Sequence, residues 1–220
     1  MKNKPIKICC FSDTHNQHRR LKIPECDILI FAGDAGITSY EKLEDFNNWL
    51  GSLNVKHRII TMGNHDRYCE SIYRPNCKLF FTNAIYLENE SVQIEGIKFW
   101  GSPYSKIFNN WSFMADDDYL AHIWEYIPDN TDIVITHGPA FGILDVVGWQ
   151  SEGSQSLRKR IDEIKPKIHI HGHIHECYGF IKREHTEHIN ASILDGAYNF
   201  VNEPTVFEYE KDKYENFFRI

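Results

Sequence analysis

Five short apolar runs, each ending in polar residues of the same chemical kind, constrain this chain more than any other feature. KICCFSD (7–13), DILIFAGD (27–34), HRIITMGN (57–64), DIVITHG (132–138) and KIHIHG (167–172) read as buried strands. Helical patterns lie between them: EKLEDFNNWLGSL (41–53) puts Leu43, Phe46 and Leu50 on one stripe, and SQSLRKRIDEIK (154–165) does so with Leu157, Ile161 and Ile164 before Pro166. Strands alternating with helices predict an α/β fold. The stretch AIYLENESVQIEGIKFWG (84–101) reads instead as consecutive strands with Asn and Gly turns, and the segments 190–195 (NASILD) and 205–211 (TVFEYEK) have the same character. A mixed sheet arrangement follows.

The strand ends carry Asp13-x-His15, Gly33-Asp34, Gly63-Asn64-His65-Asp66, His137-Gly138 and Gly172-His173-x-His175. Loops at the carboxyl ends of strands in an open α/β sheet gather on one edge, so these side chains can converge. Oxygen and imidazole donors without thiolate suit manganese, iron, zinc or a similar divalent ion. Two carboxylates, one carboxamide and several imidazoles exceed what one tetrahedral ion needs. Two ions share them better, set roughly 3.5–4 Å apart so that both reach one phosphate and one nucleophilic water. Their charge, less that of Asp13, Asp34 and a hydroxide, leaves a locally positive site able to hold an anion.

That local charge matters because 24 basic against 31 acidic residues give a net charge of −7, which does not attract nucleic acid or an anionic membrane. A stable nucleic-acid complex is not expected. Six cysteines without a C-x-x-C pair argue against a zinc ribbon or a thioredoxin-like motif, and are expected to be reduced and mostly packed. Neither a secretory segment nor a membrane-length apolar run is present, so a soluble, cytoplasmic protein of one domain over 1–220 is expected. Oligomeric state is not legible.

The blocks DTH, GD, GNHD, HG and GHIH resemble the signature of the calcineurin-like metallophosphoesterases, and GSPYSKIFNNWSF (101–113), THGPAFGILD (136–145) and GHIHECYG (172–179) resemble its MPPED-type subfamily. The resemblance implies a four-layer αββα sandwich, two mixed β-sheets face to face with helices outside. It also implies that Asp13, His15 and His175 hold one metal, that Asn64, His137 and His173 hold the other, and that Asp34 bridges them; manganese is favoured over iron, zinc or nickel. His169 and His171 are then strand residues. His65, beside a ligand, takes the part of general acid, with Asp66 either its carboxylate partner or a helix N-cap. Asn109, Trp111 and Phe113 either wall a base-binding pocket or belong to the core.

The function these readings imply is a dinuclear metal-dependent phosphodiesterase acting on nucleotide-like or small diesters, by attack of a metal-bridging hydroxide in line with a leaving oxygen that His65 protonates. Serine/threonine phosphatases resemble GDxVDRG and RGNHE at the second and third blocks. Here AGITSY follows Asp34 and Met62 stands where the arginine would be, so two phosphate-binding arginines are missing. A phosphomonoesterase is the nearer alternative and a catalytically silent scaffold the more distant one.

Overall fold

A computed structural model describes residues 5–70 and 74–210, the side chains of 74–76 excepted. The ends of the expected 1–220 domain and Lys211 of the expected last strand lie outside the described residues. In chain order the first part supplies β1 (Ile6–Phe11), β2 (Ile28–Ala32), helix α1 (Tyr40–Ser52), β3 (His57–Thr61), the short helices α2 (Arg67–Glu70) and α3 (Arg74–Phe80), and β4 (Ile85–Tyr86). Next come the hairpin β5 (Glu90–Ile94) and β6 (Ile97–Ser102), the strand pair β7 (Ser105–Lys106) and β8 (Met114–Ala115), α4 (Asp117–Trp124) and β9 (Ile133–Thr136). The ribbon β10 (Val146–Val147) and β11 (Gln150–Ser151), helix α5 (Gln155–Ile164), and strands β12 (Ile168–His171), β13 (Gly179–Arg183), β14 (Thr186–Asn190) and β15 (Thr205–Tyr209) complete the order.

Two mixed sheets result. One runs β15-β1-β2-β3-β4, parallel except for β15; the other runs β13-β14-β12-β9-β6-β5, antiparallel only at its two edge pairs. The period of two along each strand explains why they stack. Ile8, Cys10, Ile28, Ile30 and Ile59 of the first sheet share one buried cluster with Phe99, Ile133, Ile135, Ile168 and Ile170 of the second. The alternate residues face outward under the helices: Phe31 meets Phe46 of α1 with ring centroids 5.0 Å apart, and Trp100 meets Trp124 of α4 at 6.0 Å. The molecule is therefore layered helix, sheet, sheet, helix.

Each strand stops short of its polar end, at Phe11, Ala32, Thr61, Thr136 and His171, so the chemistry-bearing residues sit on the loops that follow. Two expected strands differ. The run 84–101 divides between the sheets, because β4 pairs with β3 whereas β5 and β6 form the edge hairpin of the other sheet. The strand expected at 190–195 is instead β14, which ends at Asn190. Beyond it the chain leaves the ladder to bridge Ser12 through Ser192, and the Ser192 hydroxyl donates to Asp13 at 2.7 Å. Five of the six cysteines are buried and all six are free thiols. Among the described residues no helix is long and apolar enough to cross a membrane.

Candidate metal centre

The loops after β1, β2, β3, β9 and β12 meet at one edge of the sandwich. Asp13, His15, Asp34 and His173 all have left-handed backbone, with φ of 55°, 40°, 62° and 71°. Such conformations are costly for residues other than glycine and persist where the surroundings enforce them. Here the turn aims each side chain at the centre. The neighbouring glycines are required by space: a Cβ on Gly172 would collide with the Asp13 carboxylate, and one on Gly63 with that of Asp34.

Asp13 is buried, accepts from the hydroxyl of Ser12 at 2.5 Å and from the His173 amide at 3.1 Å, and lies 3.4 Å from Nε2 of His175. Burial alone would raise its pKa, but His175 and the surrounding imidazoles hold it far below the ordinary carboxylate range. Asp34 is likewise held low against its burial, mainly by His137, whose Nε2 is 3.4 Å away. Burial opposes charge on the two rings as well, yet the carboxylates push His137 and His175 each up to about 9. His15 and His173 go the other way, to about 4 and about 3, because burial dominates there.

Three sets of ligand atoms lie within 4.8 Å of one another: Asp13, His15 and His175; Asp13, Asp34 and His137; and His15, Asp34 and His65. His173 enters none of these sets; its ring centroid is 4.9 Å from that of His137. Two observations show that a cation fits. Nδ1 of His137 donates to the Ala32 carbonyl at 3.0 Å, which leaves Nε2, 2.8 Å from the Asn64 amide oxygen, as the atom that can exchange its proton for a metal ion. The buried Nε2 of His15 has no hydrogen-bond partner among the described residues. His175 repeats the His137 pattern, with Nδ1 on the Asp195 carbonyl at 3.0 Å and Nε2 toward the carboxylate. Backbone carbonyls that fix the tautomer in this way are a recurring feature of metal-ligating histidines.

The family model of calcineurin-like phosphoesterases matches residues 6–177, the span that contains every residue of the three ligand sets. The chain belongs to that family. It is 33% identical to human metallophosphoesterase domain-containing protein 1, over 92% of this chain and 70% of that one. UPF0046 protein K07C11.7 of Caenorhabditis elegans is 30% identical, over 94% of this chain and 76% of that one. The fold is shared with the crystal structure of TT1561 from Thermus thermophilus, at a TM-score of 0.58 and 12% identity, over 85% of this chain and 89% of that one.

Within this family member, two sequence readings need correction. Asp66 is not a partner of His65: its two carboxylate oxygens accept from the backbone amides of Asp34, Ala35, Gly36, Ile37 and Gly63, at 2.8–3.3 Å. The carboxylate is drawn to a turn rich in unpaired N–H groups, which it ties around Asp34. Asn109 is exposed, and neither it nor Trp111 is among the residues lining the cleft beside the metal centre; of the aromatic rings of the 107–113 loop, Phe108 and Trp111 are partly exposed and Phe108 lines the cleft. Phe113 is buried in the core, and Trp111 packs on His65 with centroids 4.2 Å apart. Asp145 caps its own turn through the amides of Gly142 and Gly153.

The cleft, of about 360 Å³, is also lined by residues the sequence reading passed over: Lys106, Phe108, Glu152, Glu176 and Tyr198. The Tyr198 ring stands 4.7 Å from His15 and 5.3 Å from His175. Nothing in the sequence around it signals a site residue. Phe108, 5.5 Å from His173, had a usable signal in its place beside Asn109.

Proposed function

We propose that the protein is a dinuclear metal-dependent phosphodiesterase for nucleotide-like or other small diesters, and the observation that carries this reading is the overlap of the ligand sets through shared Asp13, His15 and Asp34. One shared set of carboxylates and imidazoles suits two adjacent divalent ions, manganese favoured, better than two separate sites. Asp13, His15 and His175 would hold one, Asn64, His137 and His173 the other, with Asp34 between them. Such ions supply Lewis acidity toward the phosphate and lower the pKa of water to about 7.

The chain's own residues do the rest. His65 is fixed by its amide on Asp34 Oδ1 at 2.8 Å, and its ring lines the cleft, where it protonates the leaving oxygen. Burial lowers its pKa, outweighing the upward pull of Asp34 and Asp13. The diester preference is supported by charge. Among the described residues, Lys106 is the single Lys or Arg lining the cleft, and Glu152 and Glu176 face the same space. A monoester near neutral pH carries close to two negative charges and is usually met by arginine forks, whereas a diester carries one. Phe108 offers a ring on which the second ester group can lie.

The test compares kcat/KM for bis-p-nitrophenyl phosphate and p-nitrophenyl phosphate in the manganese-loaded protein, with metal content of the His65→Ala variant as a second arm. Diester preference is expected, together with full metal content and turnover lowered about 10²- to 10⁴-fold for esters with poor leaving groups. A monoester preference overturns the substrate class. Loss of metal from His65→Ala reassigns His65 as a ligand.

A further inference from the structure

The His65 imidazole has no hydrogen-bond partner on its ring among the described residues; its backbone amide is the group that bonds Asp34. Its ring is nevertheless held on two sides. The centroid of the His15 ring is 4.7 Å away at an interplanar angle of 77°, and that of the Trp111 indole is 4.2 Å away, tilted by 47°. The His15 contact comes from a buried strand-end loop. The Trp111 contact comes from the 107–113 loop, whose two feet are fixed by backbone bonds of 2.9 Å from Ser105 to Phe113 and from Ile107 to Ala115. Phe113 anchors that loop in the core, two residues from Trp111.

We propose that Trp111 is the positioning residue of the proton donor: its indole, and not a carboxylate, holds the His65 imidazole in its donating orientation. The inference rests on the reading of His65 as general acid. The torsion that turns an imidazole is broad and roughly two-fold, so a ring without a hydrogen-bond partner takes its orientation from packing. An aromatic contact of this kind contributes up to about 1.5 kcal/mol, sufficient for a preference of about tenfold between orientations. It leaves both ring nitrogens free for proton exchange, which a carboxylate partner would not. The adjacent carboxylate, Asp66, is not available to His65 because it is committed to the Asp34 turn.

The test uses the manganese-loaded full chain with bis-p-nitrophenyl phosphate and diphenyl phosphate, two aryl diesters that differ in how much the leaving oxygen needs a proton. Trp111→Ala is expected to lower kcat for diphenyl phosphate about tenfold with KM changed less than about twofold, and to spare bis-p-nitrophenyl phosphate. Trp111→Phe should restore most of the loss, and Trp111→Ala in a His65→Ala background should add none. In the protein loaded with diamagnetic zinc instead, upfield ring-current shifts of the His65 protons, assigned with His65→Ala, should vanish in Trp111→Ala and persist in Trp111→Phe. A raised KM at unchanged kcat, equal loss on both diesters, or additive losses in the double variant overturn the proposal while leaving His65 as the acid. A His65→Ala variant with undiminished kcat for diphenyl phosphate removes the general-acid reading, and the role of Trp111 with it.

Discussion

Nε2 of His137 stands 2.8 Å from Oδ1 of Asn64, while Nδ1 of the same ring is turned to the Ala32 carbonyl. With His137 pushed up to about 9, the ring without metal donates through Nδ1 to Ala32 and through Nε2 to Asn64, and a bound cation would take the place of the Nε2 proton between imidazole nitrogen and amide oxygen. Chelation should therefore abolish hydrolysis and lower the melting temperature, and manganese should restore both. Saturation at a hundredfold over Kd corresponds to about 2.7 kcal/mol. Unchanged melting in chelator, with no transition metal by elemental analysis, would contradict it.

The Asp66 carboxylate ties five backbone amides of the turns around Asp34 and Gly63. Burial and Asp34 push the Asp66 carboxyl up to about 7, and Asp66→Ala leaves those buried donors without an acceptor, at about 1–3 kcal/mol for an unsatisfied buried group. The variant should melt several degrees lower and bind manganese more weakly, because Asp34 loses its fixed turn. Asp66→Asn should fall between the two. A variant that melts and binds metal like the parent but loses turnover would return Asp66 to a role beside His65.

Gly172 is set by the space left for Asp13. A Cβ at Gly172 would meet both the Asp13 carboxylate and the Ser12 hydroxyl. Gly172→Ala should displace Asp13, which is central to two of the three ligand sets, and lower metal content more than it lowers stability. Calorimetry and elemental analysis on the same preparation measure the two effects, and parental metal content at parental affinity would refute the steric account.

A buried chain of neutral histidines predicts acid sensitivity. Thr136 Oγ1 donates to the Gly138 carbonyl at 2.6 Å, so it accepts from His169 Nε2 at 2.8 Å; His169 Nδ1 then accepts from His188 Nδ1 at 3.2 Å. Burial pushes His188 from 6.5 down to about 3 and His169 well below its ordinary value. A depressed folded-state pKa contributes stability that is present above 6.5 and lost as pH falls toward 3. By pH 5 the loss from His188 reaches about 2 kcal/mol. Melting temperature should fall between pH 7 and pH 5, and His188→Leu should flatten that slope; an equal slope in both proteins would place the acid sensitivity elsewhere.

Much of this was legible in the order of residues. Apolar runs of period two, separated by capped helical stripes such as Ser154 to Pro166, specify buried strands under helices because each element has one face to bury. That Asp13, His15, Asp34, His137 and His175 would converge was legible too, since they recur at the ends of strands whose loops gather on one edge. Left to tertiary structure were the relations between loops distant in sequence. Asp66 and His65 are neighbours in the chain, yet the carboxylate bonds a turn some 30 residues earlier, where unpaired amides outcompete an imidazole. Tyr198 reaches His15 across more than 180 positions, and Phe108 rather than Asn109 faces the cleft, because an irregular loop has no period from which side-chain direction could be read. Local patterns encode which surfaces each element must bury. Which side chains meet across the centre depends on how five loops close together, and that is set by the packing of the two sheets.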